Sequence, residues 1–330
     1  MFDVDVLLAR YQQIPESFCA GQLEFQLPNG RPIRHSPYDE FNSERNLVLQ
    51  TIYNAGSPYQ DILPVRVEPK DCEVGDIVLC TKNNRLWNLS GIRVHHAQDP
   101  HIMLIGGTPC ITYIAIDTSD NKSVRSYQQA IAKLKTPDQP FIFGPIGQKG
   151  CRTLDLPKSK KILGFGRTQE WPTLLGKLTY FEVDTVDEVG SALAAAPMIP
   201  DVNPDNTWVG TNQLILLDTV RERYIGVIMH IARFNPVLQV RGIEKKEYFA
   251  AAAVFDREAN ELVGIEIIAT AHDFAFGSIN KMESLGSVIY PGGICRTDGP
   301  FGGYRLYGGV GDLCCFWKDV DISLFKRYIR

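Results

Sequence analysis

The stretch HHAQDPHIMLIGG, from His95 to Gly107, joins a polar entrance to a short apolar run and a double-glycine stop. The apolar run Ile102 to Ile105, ended by Gly106 and Gly107, reads as a buried strand with Asp99 at its entrance. Pro100 fixes its own φ and biases Asp99 towards an extended backbone, which would hold the carboxylate on a stiff link beside a sheet. A carboxylate held in this way is a candidate general acid; it is equally the acceptor of a backbone N–H in an Asx-Pro turn.

The same signature recurs on both sides. Asp76 to Cys80, Ile111 to Ile116, Arg152 to Leu156, Lys161 to Phe165, Leu178 to Val183, Gln213 to Leu217, Tyr224 to Met229, Tyr248 to Val254 and Leu262 to Ala269 are further β-rich runs separated by Gly, Pro, Asn or Asp. Leu23, Phe25 and Leu27 alternate with polar residues ahead of Asn29-Gly30, which predicts a strand and a hairpin. Helical spacing is confined to residues 3 to 13, Ser123 to Leu134 and the tail from Asp319 to Tyr328. No strand–helix–strand unit repeats, so the chain reads as all-β, a barrel, sandwich or propeller.

A length of 330 residues allows two domains or one large β unit. The hydrophobic fraction of 44% and charged fraction of 22% are those of a globular protein, and a net charge of -4 gives no electrostatic reason to expect nucleic acid or an anionic membrane. The opening MFDVDVLLARYQQ is acidic where a secretory signal is basic, and no span of about 18 apolar residues occurs, which predicts a cytoplasmic protein. Eight cysteines without a C-x-x-C pair suggest neither a zinc site nor a disulfide framework. His95, His96 and His101 cluster around Asp99, but adjacent side chains on a strand point to opposite faces, and no metal is expected.

Four polar clusters sit at strand edges. Tyr53-Asn54 and Ser57-Pro58 precede VRVE, whose Arg66 and Glu68 share one strand face, as an ion pair or as alternating partners for sugar hydroxyls. GPIGQKGCRTL sets Lys149 and Arg152 around Gly150, with Arg167 soon after; three cations at strand ends suit an oxyanion, or form a solvated basic loop. TWVGTNQ brings Trp208 and Asn212 ahead of a strand, and MHIARF ends the next with His230; these are sugar contacts or ordinary core residues. The last cluster runs from Lys281 through YPGG at 290–293 to YRLYGGVGD; Tyr307-Gly308-Gly309 before Asp312 looks like a closing blade whose glycines admit a ligand or backbone closely, or equally like a hairpin turn. Neither common nucleotide-binding glycine loop is present.

In order and spacing, YN..SP, RVE, QDP followed by GG, GP..QK..R, the Asn of GTNQ, HIA and LYGGVGD resemble glycosyltransferase family 108, the β-1,2-mannoside phosphorylases and mannosyltransferase-phosphorylases related in fold to glycoside hydrolase family 130. The resemblance runs from about Tyr53 to Asp312. It implies one five-bladed β-propeller over 1–330 with short N- and C-terminal helical additions, inorganic phosphate as co-substrate, and no cofactor. It implies Asp99 as catalytic acid, with Asn54, Arg66, Glu68, Gln98, Asn212, Tyr307 and Asp312 around the mannoside. Lys149, Arg152, Arg167, His230 and Lys281 would line the phosphate side. The chain departs from the family at Gly150, where an acidic residue follows the lysine; at His101, in place of an aromatic; and at Pro69-Lys70, where an arginine follows RVE.

The implied reaction is inverting phosphorolysis to α-mannose 1-phosphate, and its reverse. Phosphate is already a nucleophile, so one acid suffices, whereas an inverting hydrolase needs a second carboxylate such as Glu68 or Asp312. A non-catalytic glycan-binding propeller is the remaining alternative.

Overall fold

The computed structural model describes residues 3–13, 19–26, 32–33, 52–55, 61–68, 74–83, 86–119, 123–169, 176–200, 207–240, 243–274, 285–297, 303–312 and 314–329. Helix α1 (Val4–Tyr11) starts where Asp3 Oδ1 accepts the Asp5 and Val6 amides at 2.8 and 3.3 Å, and β1 (Ala20–Gln22) follows. β2 (Phe25–Gln26), β3 (Pro32–Ile33), β4 (Ile52–Ala55), β5 (Ile62–Val67), β6 (Asp76–Asn83) and β7 (Leu86–Val94) form a sheet in the order β3-β2-β7-β6-β5-β4. β8 (Ala97–Ile105), β9 (Thr108–Asp117), β10 (Ser126–Lys133) and β11 (Pro140–Ile146) make an antiparallel meander, and β12 (Lys149–Leu156), β13 (Lys161–Gln169) and β14 (Gly176–Val183) a three-stranded one. Helix α2 (Val189–Ala195) leads to β15 (Thr207–Leu216), β16 (Tyr224–Val240), β17 (Ile243–Asp256) and β18 (Glu261–Ala269). β19 (Leu285–Arg296), β20 (Tyr304–Val310) and β21 (Cys314–Val320) follow, with β1 added outside β21, and helix α3 (Ser323–Lys326) comes last. Two parallel pairings, Lys246 with Leu285 and Tyr248 with Val288, join these final two sets into one eight-stranded sheet.

Among the described residues, five large apolar cores lie between successive sets, with a small sixth cluster of Val74, Ile114 and Ile116 beside the first. Ile77 and Val94 pack on Ile102 and Ile111, Met103 and Ile131 on Ile162 and Phe181, and Leu163 and Phe165 on Val227 and Phe255. Ala250 and Val254 pack on Ile289 and Leu306, and the fifth core returns to the beginning, with Tyr307 and Cys315 against Leu63 and Trp87. Where a strand is covered on both faces, as in β9 and β15, polar-out alternation gives way to a continuous buried run. Ala250 to Ala253 show the consequence: four fully buried alanines, helix formers by propensity, lie in β17 because sheets press on both faces and leave no room for larger side chains.

The same effect overturns the helix expected over Ser123 to Leu134. That segment contains β10, whose Ile131 faces one core while Ala130 and Ala132 face the next. Helical spacing there records a strand buried on both faces. In the tail only Ser323–Lys326 is helical, since β21 takes Asp319 and Val320 into the sheet. The ten predicted strand runs each overlap an observed strand, and 3 to 13 contains α1. Among the described residues no helix is long and apolar enough to cross a membrane.

One strand of each set leans on the next: β4 on β8, β8 on β12, β12 on β15, β15 on β19, and β19 back on β4. Each of the five has a register shift, at Asn54, at Asp99-Pro100, at Gly150-Cys151, at Asn212 and at Gly292. A bulge re-aims the side chains beside it, and these five collect residues from 54 to 292 at one place.

Candidate active site

Asp99 occupies the β8 bulge with φ +50°, so the extended backbone expected before Pro100 is not what it adopts. The reason is the extra residue: Tyr113 of β9 faces both Asp99 and Pro100 of β8, and the left-handed turn absorbs the difference. Arg66, on β5, reaches back with Nη1 3.4 Å from Asp99 Oδ1, and its other end forms an ion pair with Glu68, itself 1% exposed. The same-face reading of Arg66 and Glu68 holds. Breaking one half of such a buried pair costs about 3–5 kcal/mol, because the other charge stays behind.

Lys149 and Arg152 stand on either side of the β12 bulge, where Gly150 has φ +78°, and Lys149 pairs in register with Arg167 of β13. Arg152 Nε donates to the Asn212 carbonyl at 2.9 Å and Nη1 to the Cys151 carbonyl at 2.8 Å. Among the described residues, none of these three cations has a carboxylate within salt-bridge distance. Burial pushes the Lys149 ammonium down to about 8, Arg167 adds to the depression and Asp99 opposes it. Burial also lowers Arg152, with Tyr290, Cys151 and Asp99 pulling the other way and Arg167 adding to the fall.

His230, on β16 opposite Gly210, has Nε2 2.9 Å from Arg167 Nη1 and Nδ1 3.0 Å from Asn212 Oδ1. Burial, with Arg167, Lys149 and Arg152 around it, keeps the ring neutral well below pH 6.5. Asp312 sits at φ +55° in the β20–β21 turn, where its charge acts on Arg66 and on the Tyr248 phenol.

Residues 54 to 312 thus converge, with exceptions. Asn54 lies at the β4 bulge, but its side chain is outside what the structure describes, and Lys281 lies outside the described residues altogether. Gln98, beside Asp99, is partly buried. Tyr307 does not join the site: it is buried in the fifth core with Leu63, Trp87 and Cys315, and burial and Cys295 push its phenol up to about 12. Trp208 packs against Phe234 and edge-on to Tyr248 instead of presenting a face.

Two tyrosines were missed. Tyr290 stacks on His230 at 5.0 Å and lies under the influence of Asp99, Arg152 and Arg167, and Tyr248 is pushed up to about 12 by burial and Asp312. YPGG stands in the sequence only as a link in the last polar cluster, and nothing in it singles out its tyrosine. The histidines around Asp99 separate: His95 is exposed beside Asp76 at 3.3 Å, while His101 is buried with Nδ1 3.1 Å from the Gly292 carbonyl. No group of three or more His, Cys, Asp or Glu among the described residues is placed to hold a metal ion.

Residues 46–322, which contribute to each of the five large cores, match the family described as "Protein of unknown function (DUF1861)". The chain belongs to the DUF1861 family. No curated protein matches it. This DUF1861 fold is shared with solved structures at low identity. A mannose phosphorylase from Leishmania mexicana, solved in complex with phosphate ion, is 20% identical, with a TM-score of 0.79 over 99% of this chain and 95% of that one. A GDP-Man-dependent mannosyltransferase from the same organism is 19% identical, with a TM-score of 0.77 over 97% and 95%. The β-1,2-mannobiose phosphorylase from Listeria innocua, in complex with β-1,2-mannobiose, is 13% identical, with a TM-score of 0.56 over 84% and 92%.

Proposed function

We propose that this DUF1861 protein is a mannoside phosphorylase, an enzyme that cleaves β-1,2-linked manno-oligosaccharides with inorganic phosphate and inverts the anomeric centre. The observation that carries the reading is electrostatic: Lys149, Arg152 and Arg167 are gathered without a carboxylate partner among the described residues, and all three act on groups around Asp99. Gathered cations of one sign without counter-charge fit a bound oxyanion.

The fold reading behind it is a five-bladed β-propeller. Five cores that return to the first and five leaning strands support it, the eight-stranded sheet being two blades joined by the short parallel pairing. In such a closure the leaning strands surround one funnel, which accounts for the meeting of their bulges.

In the reaction a phosphate oxygen forms a bond to the anomeric carbon from the face opposite the leaving sugar. The glycosidic C–O bond breaks, its electron pair goes to the leaving oxygen, and that oxygen takes the Asp99 proton, directly or through a sugar hydroxyl. The products are α-mannose 1-phosphate and the shortened mannoside. Lys149, Arg152 and Arg167 neutralise the incoming dianion, while Arg66, Glu68, Asn212 and Asp312 bind sugar hydroxyls. Glu68 is tied to Arg66, which leaves it poorly placed as the base of a hydrolase.

Asp99→Asn tests the assignment. Phosphorolysis of β-1,2-mannobiose should almost vanish while phosphate binding persists, and a variant with half the wild-type rate or more would remove Asp99 from the role. Likeness to the GDP-Man-dependent mannosyltransferase favours one second reading, transfer from GDP-mannose. Consumption of GDP-mannose without phosphate-dependent cleavage would establish it instead.

A further inference from the structure

His230 has both ring nitrogens engaged by protein, and its partners leave one tautomer. A guanidinium only donates, so Arg167 Nη1, at 2.9 Å, requires a lone pair on Nε2. The proton of the neutral ring is then on Nδ1 and is donated to Asn212 Oδ1 at 3.0 Å. Had the Asn212 amide been turned round, its N–H would meet the ring N–H. Arg167 therefore fixes the ring, and the ring fixes the amide. The Asn212 Nδ2 donor is left pointing away from the histidine, buried, with no bond of ordinary length among the described residues, facing the Tyr290 hydroxyl.

The surroundings are shaped for this arrangement. Gly210 lies directly opposite His230, and a Cβ there would fall 2.3 Å from His230 Cε1, 2.8 Å from Nε2 and 3.1 Å from Arg167 Nη1. The β15 bulge at Asn212 turns the amide towards the ring, and Tyr290 stacks on the ring's face.

We propose that His230 is a positioning residue that does not bind phosphate: it accepts from Arg167 and donates to Asn212, and so orients a cation on the phosphate side and an amide donor on the sugar side together. The proposal rests on the phosphorylase reading of the site. It couples the two substrates, because a phosphate that orders Arg167 also orders the amide assigned to the mannoside.

Two isosteric half-replacements separate the two ends. Asparagine at 230 presents a donor near the Nδ1 position and nothing at Nε2; glutamine presents an acceptor near Nε2 and nothing at Nδ1. His230→Asn should raise KM for phosphate about tenfold and spare KM for β-1,2-mannobiose, since it loses a hydrogen bond to a charged group, whereas His230→Gln loses a neutral one and should raise KM for β-1,2-mannobiose about two- to tenfold and spare phosphate. Isothermal titration with inorganic phosphate should show the same difference without turnover. Equal weakening of phosphate by both variants, with mannobiose unaffected, would make His230 a direct phosphate ligand and overturn the proposal.

A second measurement needs neither activity nor a folded variant. Long-range proton–nitrogen spectra of wild-type protein carrying labelled histidine should show, for the histidine stacked on Tyr290, one protonated and one lone-pair nitrogen, with the proton on Nδ1, unchanged from pH 8 to 5.5. A proton on Nε2, or a ring that becomes doubly protonated in that range, overturns the proposal. If wild-type protein cleaves no mannoside with phosphate, the phosphorylase reading fails while this spectrum still judges the histidine.

Discussion

Lys149 gives the most quantitative forecast. Its ammonium is pushed down to about 8 by burial and by Arg167, against an ordinary value of 10.5, so it loses its charge within an accessible range. If only the protonated amine assists phosphate, KM for phosphate scales as one plus ten to the power of pH minus that value, which is a rise of about eightfold from pH 7.5 to 9. The ceiling is the contribution of one charge-assisted hydrogen bond, about 1.5–3 kcal/mol, or about ten- to a hundredfold. Inorganic phosphate is largely dianionic throughout this window, so its own titration contributes little. Steady-state kinetics with β-1,2-mannobiose at saturation, over varied phosphate at each pH, measures the effect, and Lys149→Arg should flatten it. The sign for stability is opposite. A lysine whose pKa is lower when folded binds fewer protons than the unfolded chain between about 8 and 10.5, so phosphate-free protein gains stability as pH rises through that window. A wild-type phosphate KM that stays constant from pH 7.5 to 9 would refute the placement of Lys149 at the anion.

Arg152→Ala removes a buried donor beside the anion and should lower kcat about a hundredfold, the usual loss of about 2.7–4 kcal/mol when one donor to developing charge is deleted. Gly210→Ala forces a Cβ to within 2.3 Å of His230 Cε1, so phosphate KM should rise at least about tenfold in kinetics, with glycine restoring it. Asp155→Ala lies away from the chemistry: the carboxylate accepts the Gly106 and Gly107 amides at 2.8 and 2.7 Å and ties the β8–β9 turn to β12. Denaturant unfolding should show a loss of about 1–2 kcal/mol with kinetic constants unchanged.

Much of the architecture was readable because it rests on local signals. Runs such as Ile111 to Ile116 and Leu178 to Val183 carry β-rich composition between breakers, and the apolar spacing over residues 3 to 13 marks α1. What misled was burial on two faces, which gives Ser123 to Leu134 the spacing of a helix and fills β17 with alanine. The site divides in the same way. Arg66 with Glu68 follows from a two-residue spacing that any strand imposes, and Gly150 is the residue type that the left-handed φ of the β12 bulge favours. Bulges are not written in composition, so the φ of Asp99 and the turning of Asn212 were hidden. The faces of Tyr307 and Tyr290 depend on which core covers which strand, and neighbours far along the chain decide that. Motif order indicated that distant segments meet; it could not say that His230 would be enclosed by Arg167 and Asn212.

The most direct test is phosphorus NMR of the wild-type protein with β-1,2-mannobiose and inorganic phosphate. The account predicts that the inorganic phosphate signal is replaced by α-mannose 1-phosphate, one equivalent for each mannose freed, and that no mannose is released when phosphate is left out. Mannose released at an undiminished rate without phosphate, or the β-configured ester as product, would contradict it.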